Sequence, residues 1–420
     1  MPAADTLSMP ARLEAEVEVQ RAFLIETTQN LVAAASPNPP GDVTRAAEVA
    51  GAVLQAIDGA RLTRYETAPG IVNLVAIIPG ARPGRRLIFN GHLDTFPIGE
   101  GEWTVPPLGG TLRDGRIYGR GVSDMKGGLA AMLTATRILA RLRDRWHGEL
   151  VVTLAGDEEN MGSLGSRWLL ENVPEAKGDA MLCGDVGSPM VVRFGEKGLC
   201  WIEIEAEGHP AHGAHVHKGK NAIDRLRQAL DGLKRLEALA VAAPAAVTSA
   251  ILAAKRVSEQ LSGDGEAEVL QRVTVNIGTV EGGISPNLVP ARARAAADIR
   301  LPVGVSLEMI EAALHRELDP CEGVSWRIVR AYPPSFTPPD DEIIRRTVAA
   351  ATQICGEPPV ANMRVGASDA RLYRMFGVPS AVYGCTPFNM GAPDEYILLD
   401  ELMTVAKVHT LAAFDFLSEA

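Results

Sequence analysis

The sequence predicts an α/β protein of two domains, with the second inserted into the first. Three observations carry this reading. The chain has 420 residues, more than one ordinary hydrophobic core organises. Up to about Lys197, short apolar runs ending in polar residues alternate with segments of helical periodicity, as in a sheet whose ligand site lies at the carboxyl ends of its strands. From Gly198 to Tyr332 the pattern changes to runs that alternate by twos, in the order β-α-β-β-α-β of a compact α/β sandwich, and after Pro333 the first style returns. The expected domains are residues 1–197 with 333–420, and the insert 198–332.

The elements follow in order. Apolar residues at helical spacing (Val19, Phe23, Ile25, Leu31) predict a helix over Leu13–Ala35, which the SPNPPG segment Ser36–Gly41 stops; a second helix follows over Val43–Ile57. The runs Gly70–Gly80 and Arg85–Thr95 read as strands, and Gly127–Arg143 as a helix. Gly148–Glu159 is a strand ending in acids, followed by a helix at Ser166–Glu171 and the strand Asp179–Asp185. In the insert, LCWIEIEAEG is a half-exposed strand, Asn221–Ala240 a helix, VTVNIGTVEGG and RARAAADIRLP strands, Ser306–Leu318 a helix and Val324–Tyr332 a strand. The Ala-rich piece Ala238–Lys255 and the polar Ser258–Glu268 form a helical or loop excursion. A helix at Glu342–Cys355, a strand at Val378–Gly384 and a helix at Leu399–Leu417 complete the first domain.

Composition narrows the partners. The 41 basic and 52 acidic side chains give a net charge of -11 with no long Lys/Arg run, which argues against a nucleic-acid backbone and favours a small-molecule substrate. No stretch is long and apolar enough to span a bilayer, and Glu14, Glu16, Glu18 and Glu26 stand where a signal peptide would carry a basic patch and an apolar core. The five cysteines are scattered without a CxxC pair, as buried thiols of a reducing compartment would be. A cytoplasmic protein with no membrane partner is expected.

The residues that carry chemistry sit at strand ends. His92 and Asp94 close one apolar run in GHLDT, on one face by period two; Asp124 lies in the glycine-flanked GRGVSDMKGG; Glu158 and Glu159 follow the strand LVVTLAG; and Asp185 ends another strand. Any one of these alone is an ordinary loop acid or helix cap. Together they supply the anionic and imidazole ligands that a divalent ion needs from separate loops.

The order GHLDT, GRGVSDMKGG, GDEENMGS, LCGD, GHPAHGAHVHKGKNAI and GISPNLVP resembles the metal-dependent hydrolases that include acetylornithine deacetylase, succinyl-diaminopimelate desuccinylase, aminoacylase and glutamate carboxypeptidase, over about residues 20 to 415. The resemblance implies a catalytic domain with a central mixed β-sheet flanked by helices, and an inserted α/β sandwich that mediates dimerisation and acts as a lid. It implies a homodimer or higher homo-oligomer that hydrolyses a C–N bond of a small carboxylate-bearing substrate, most simply an N-acyl amino acid or peptide amide. By the same likeness His92, Asp124 and Asp185 hold one metal, Asp124 bridges to a second that Glu159 also binds, Asp94 orients His92, and Glu158 is the general base. His212 matches a histidine that reaches across the dimer to the substrate carbonyl. Arg300 and Arg364 are candidates to fork a substrate carboxylate, and Asn287 matches an asparagine near the substrate.

One position departs from the family pattern. The last metal ligand there is a histidine four residues before a glutamate, and in CTPFNMGAPDEY that position is Gly391, which cannot ligate. Asn389 is the nearest substitute ligand, through a carbonyl oxygen weaker than imidazole. The expectation is therefore one tight divalent ion per subunit, Zn²⁺ or Mn²⁺ with Co²⁺ as a further option, and two ions as the alternative. The departure keeps open hydrolytic deamination of an aromatic amine such as 5-nitroanthranilate, with release of ammonia. A non-catalytic dimeric binding protein is the remaining alternative, against which the presence of Glu158 and Asp94 speaks.

Overall fold

The computed structural model describes residues 8–418, and these form two compact units: 8–194 with 337–362 and 368–418, and 195–336 with 363–367. Residues 1–7 and 419–420, which the expected boundaries include, lie outside the described residues. Met363–Ala367 belongs to the second unit rather than the first, and the backbone N–H of Lys197 donates to the Arg364 carbonyl at 3.1 Å.

The first unit is built on a mixed sheet. Its strands lie in the spatial order Arg61–Ala68, Ile71–Pro79, Glu149–Ala155, Arg86–His92, Ala180–Cys183, Ser380–Val382 and Val191–Glu196. The inner four, from Glu149–Ala155 to Ser380–Val382, are parallel to one another, and antiparallel neighbours flank them. The inner strands are continuous apolar runs because helices cover both faces, so neither side of the pleat meets water. Arg61–Ala68 was not expected. Its Arg61, Arg64 and Glu66 break the apolar alternation, as an edge strand exposed to water permits. Two helices, Met9–Val19 and Arg21–Ala33, replace the single expected helix, and neither Gly nor Pro marks the break at Gln20.

Helix Gly127–Arg141 packs against helix Leu399–Ser418. Its N-terminus approaches the sheet closely: a Cβ on Gly128 would lie 1.8 Å from the Gly184 carbonyl oxygen. Only glycine allows this approach, which sets the turn carrying Asp124 beside the strand end carrying Asp185.

The second unit is a four-stranded antiparallel sheet in the order Thr274–Gly282, Arg292–Leu301, Gly198–Glu207, Val324–Tyr332. Helices Ala222–Lys234 and Leu307–Leu318 supply Leu226, Leu233, Ile310 and Leu314 to its core, against Ile202, Ile204 and Ile299 of the strands. The Ala-rich excursion is helix Ala245–Ser262, which buries Val247, Ile251 and Ala254. No described helix is long and apolar enough to cross a membrane.

Candidate metal centre

His92 closes the central strand Arg86–His92 and is 1 % exposed. Its Nδ1 lies 2.9 Å from the Asp94 backbone carbonyl and 3.4 Å from Asp94 Oδ1, and its Nε2 lies 3.0 Å from Asp124 Oδ1. Asp124 is held in the turn Val122–Lys126, and Asp185 follows the strand Ala180–Cys183. One ligand atom from each of His92, Asp124 and Asp185 lies within 4.8 Å of the others, and all three residues are buried.

This chemistry suits a cation. A carbonyl oxygen accepts only, so the contact with Asp94 puts the ring proton on Nδ1 and turns the Nε2 lone pair toward Asp124. Two lone pairs facing each other at 3.0 Å need a proton or a metal ion between them. Burial alone would lower the His92 pKa, but Asp124, Asp94 and the charge of Glu158 raise it well above the ordinary 6.5. The two adjacent acids respond likewise. Burial lifts Glu158 well above the carboxylate range, with His92 and Arg371 opposing. Burial, then the nearby charge of Asp124, lifts Glu159 to about 10, and Glu159 Oε1 is buried without a hydrogen-bond partner. A divalent ion among these groups would relieve the crowding of negative charge that drives each shift.

Asp94 does more than the sequence suggested. Its carbonyl makes the shorter contact to His92, while its carboxylate anchors the turn Glu158–Asn160. Oδ1 accepts the Glu158 N–H at 3.2 Å, and Oδ2 accepts the Glu159 N–H at 2.9 Å and Asn38 Nδ2 at 3.0 Å. Both acids are thus fixed at the backbone. Glu159 lies outside the close set of three ligands.

The profile of Peptidase family M20/M25/M40 matches residues 88–415. The chain belongs to this family. Members of the M20 family are metal-dependent hydrolases of C–N bonds. A succinyl-diaminopimelate desuccinylase of Methylorubrum extorquens is 29% identical over 354 residues, 81% of this chain and 85% of the relative. One of Ruegeria pomeroyi is 28% identical over 398 residues, 92% and 95% of the two chains. In fold, the chain is similar to an M20 family metallo-carboxypeptidase from Sulfolobus solfataricus with a TM-score of 0.74, at 20% identity over 94% of this chain and 99% of that one.

Gly391 is the position at which the sequence reading expected a histidine ligand to be missing, and the structure shows what holds that loop. Gly391 has φ +77°, and its carbonyl accepts from Arg120 Nη2 at 3.0 Å. Arg120 pairs with Glu395 at 2.5 Å, both nearly fully buried, and Glu395 Oε1 accepts from the Ser123 hydroxyl at 2.7 Å. The loop is thereby tied to the residue next to Asp124. Asn389 Nδ2 donates to the Asp394 carbonyl at 3.2 Å, which leaves its side-chain oxygen outside that bond.

Four other expected site residues belong to the second unit. His212 caps the turn Gly213–Lys218 with Nδ1 accepting the Ala214 N–H, and Gly213 N–H donates to the Asn287 carbonyl at 2.7 Å, so His212 and Asn287 are brought together. Arg300 pairs with Asp298 at 2.9 Å, and Arg364 lies in the 363–367 segment. Residues the sequence did not single out also enter the first unit's site: Asn38 on Asp94, Glu395 on Ser123, and Arg371 on Glu158. The SPNPPG segment was visible as a helix stop, but contacts from more than 50 positions away leave no local pattern.

Proposed function

We propose that the chain is a divalent-metal amidohydrolase that removes the acyl group from an N-acyl amino acid, or splits a short peptide, with the substrate class of the desuccinylases as the first to test. The observation that carries this is the buried His92, Asp124 and Asp185 set with two adjacent acids held over one anchoring carboxylate. His92, Asp124 and Asp185 would hold a Zn²⁺ or Mn²⁺ ion, with Glu159 next in line. Such an ion supplies Lewis acidity, polarising the scissile carbonyl and making an attacking water easier to deprotonate. Glu158, with its backbone fixed by Asp94, takes that water's proton and returns it to the leaving nitrogen. The burial of the site keeps bulk water from competing for the proton.

A second reading is favoured by Gly391. A centre with a single ion suits attack on a ring carbon that its own substituents activate, as in hydrolytic deamination of an aromatic amine such as 5-nitroanthranilate.

The test is a panel of succinyl-diaminopimelate, other N-acyl amino acids, dipeptides and ortho-aminobenzoates, offered to chelated protein reloaded with Zn²⁺, Mn²⁺ or Co²⁺. Metal-dependent release of a free amino acid is expected. Ammonia with a hydroxylated product moves the assignment to deamination. Full turnover by protein shown metal-free by elemental analysis ends both readings.

A further inference from the structure

The segment Ser368–Arg371 opens the helix Ala370–Met375 and buries a guanidinium beside Glu158. Arg371 is 3 % exposed, and its Nη1 lies 3.5 Å from Glu158 Oε1. Its two terminal nitrogens also reach backbone: Nη1 donates to the Ser368 carbonyl at 2.5 Å, and Nη2 donates to the Met161 carbonyl at 2.7 Å. Met161 closes the turn that begins at Glu158, in a left-handed conformation with φ 74° that side chains other than glycine rarely adopt. One side chain therefore grips both the carboxylate of Glu158 and the carbonyl at the far end of its turn. Asp369, next in the segment, accepts from Ser166 at 2.6 Å and fixes the segment itself.

We propose that Arg371 is a positioning residue for Glu158, holding its carboxylate and its turn in the orientation that proton transfer requires. The inference rests on the reading of Glu158 as the base. Two alternatives are weaker. With both terminal nitrogens engaged by Glu158, Ser368 and Met161 and only 3 % of the residue exposed, Arg371 is poorly placed to receive a substrate carboxylate. A purely structural ion pair would have no need to hold the carboxylate and the end of its turn together. Arginine suits the task because its planar fork serves two acceptors at once, which an ammonium on a flexible stem does less well.

The experiment compares Arg371→Met in the wild-type and Glu158→Gln backgrounds, using the N-acyl amino acid turned over fastest, with bound metal counted by elemental analysis. In the wild-type background kcat should fall about tenfold or more, with KM moving less than about threefold and the ion count unchanged. In the Glu158→Gln background the same change should alter the residual kcat by less than about twofold, because a residue acting through Glu158 has nothing left to position. Should Arg371→Met fail to fold, Arg371→Lys carries the same comparison, retaining the charge without the fork. An equal loss in both backgrounds, a loss confined to KM, or unchanged kcat overturns the proposal. Full kcat in Glu158→Gln itself overturns the reading of Glu158 and this inference with it. A large loss there, beside an intact Arg371→Met, overturns only the role of Arg371.

Discussion

At the scale of single residues, two positions test the proposed chemistry. Glu158→Gln keeps the size of the side chain and leaves the backbone bond to Asp94 intact but removes the proposed base, so kcat should drop by about 10² or more while bound metal stays constant. Lost metal would make Glu158 a ligand, and undiminished kcat would move the base elsewhere. At Gly391 the expectation concerns stoichiometry. Without imidazole there, a second ion would rest on Glu159 and a share of Asp124, and it would sit close to a like charge. Zn²⁺ titration of apo-protein, followed by desalting and elemental analysis, should leave one ion per chain. Two retained ions would show that Asn389 or another group ligates. Gly391→His should restore a second site poorly: no heavy atom blocks its Cβ, but φ +77° disfavours any side chain, and Arg120 holds the carbonyl.

At the scale of elements, helix Leu399–Ser418 carries a pH-dependent weakness. His409 is fully buried in it, with Nε2–H donating to the Tyr383 carbonyl at 2.7 Å and Nδ1 buried without a partner. Burial pushes its pKa down to about 4 from an ordinary 6.5, with the Tyr383 bond opposing. The unfolded chain therefore binds a proton over a range where the folded one does not, and folding stability falls as pH drops from about 7 toward 4. The full effect is about 3 kcal/mol. His409→Gln, which can keep a donor to Tyr383, should flatten this acid limb in urea melts recorded from pH 7 down to 4. An unchanged slope would assign the loss to the carboxylates. The same helix shows what the sequence made legible. Its apolar residues and those of Arg86–His92 are placed by period and burial, so the positions of the strand-end acids could be read from local pattern, while their individual roles came only with the family resemblance. The charged edge strand Arg61–Ala68 was hidden because water satisfies its outer face and no apolar alternation is needed. Arg371 and Asn38 were hidden because their contacts form only when Glu158 and Asp94 fold against them.

At the scale of the whole molecule, the two units have separate cores, and the three close candidate ligands, His92, Asp124 and Asp185, lie in the first. An ion that binds only the folded site stabilises it by mass action, about 2.7 kcal/mol when its free concentration is 100 times Kd. That gain should be confined to the elements the ligands join. The strand ending at His92, the turn at Val122–Lys126, the segment after Ala180–Cys183 and the Glu158–Asn160 turn should all become better protected. The core of the second unit, around Ile202, Leu226 and Ile310, contributes no ligand to the close set and should exchange as before. Hydrogen exchange of apo-protein with and without Zn²⁺ measures this directly, because each segment reports its own opening free energy. Slowing confined to the first unit would support a centre built wholly from its strand ends. Equal slowing in both units would mean that they unfold as one cooperative body, and slowing confined to the Gly213–Lys218 turn with His212, His215 and His217 would place the ion on the histidines of the second unit instead.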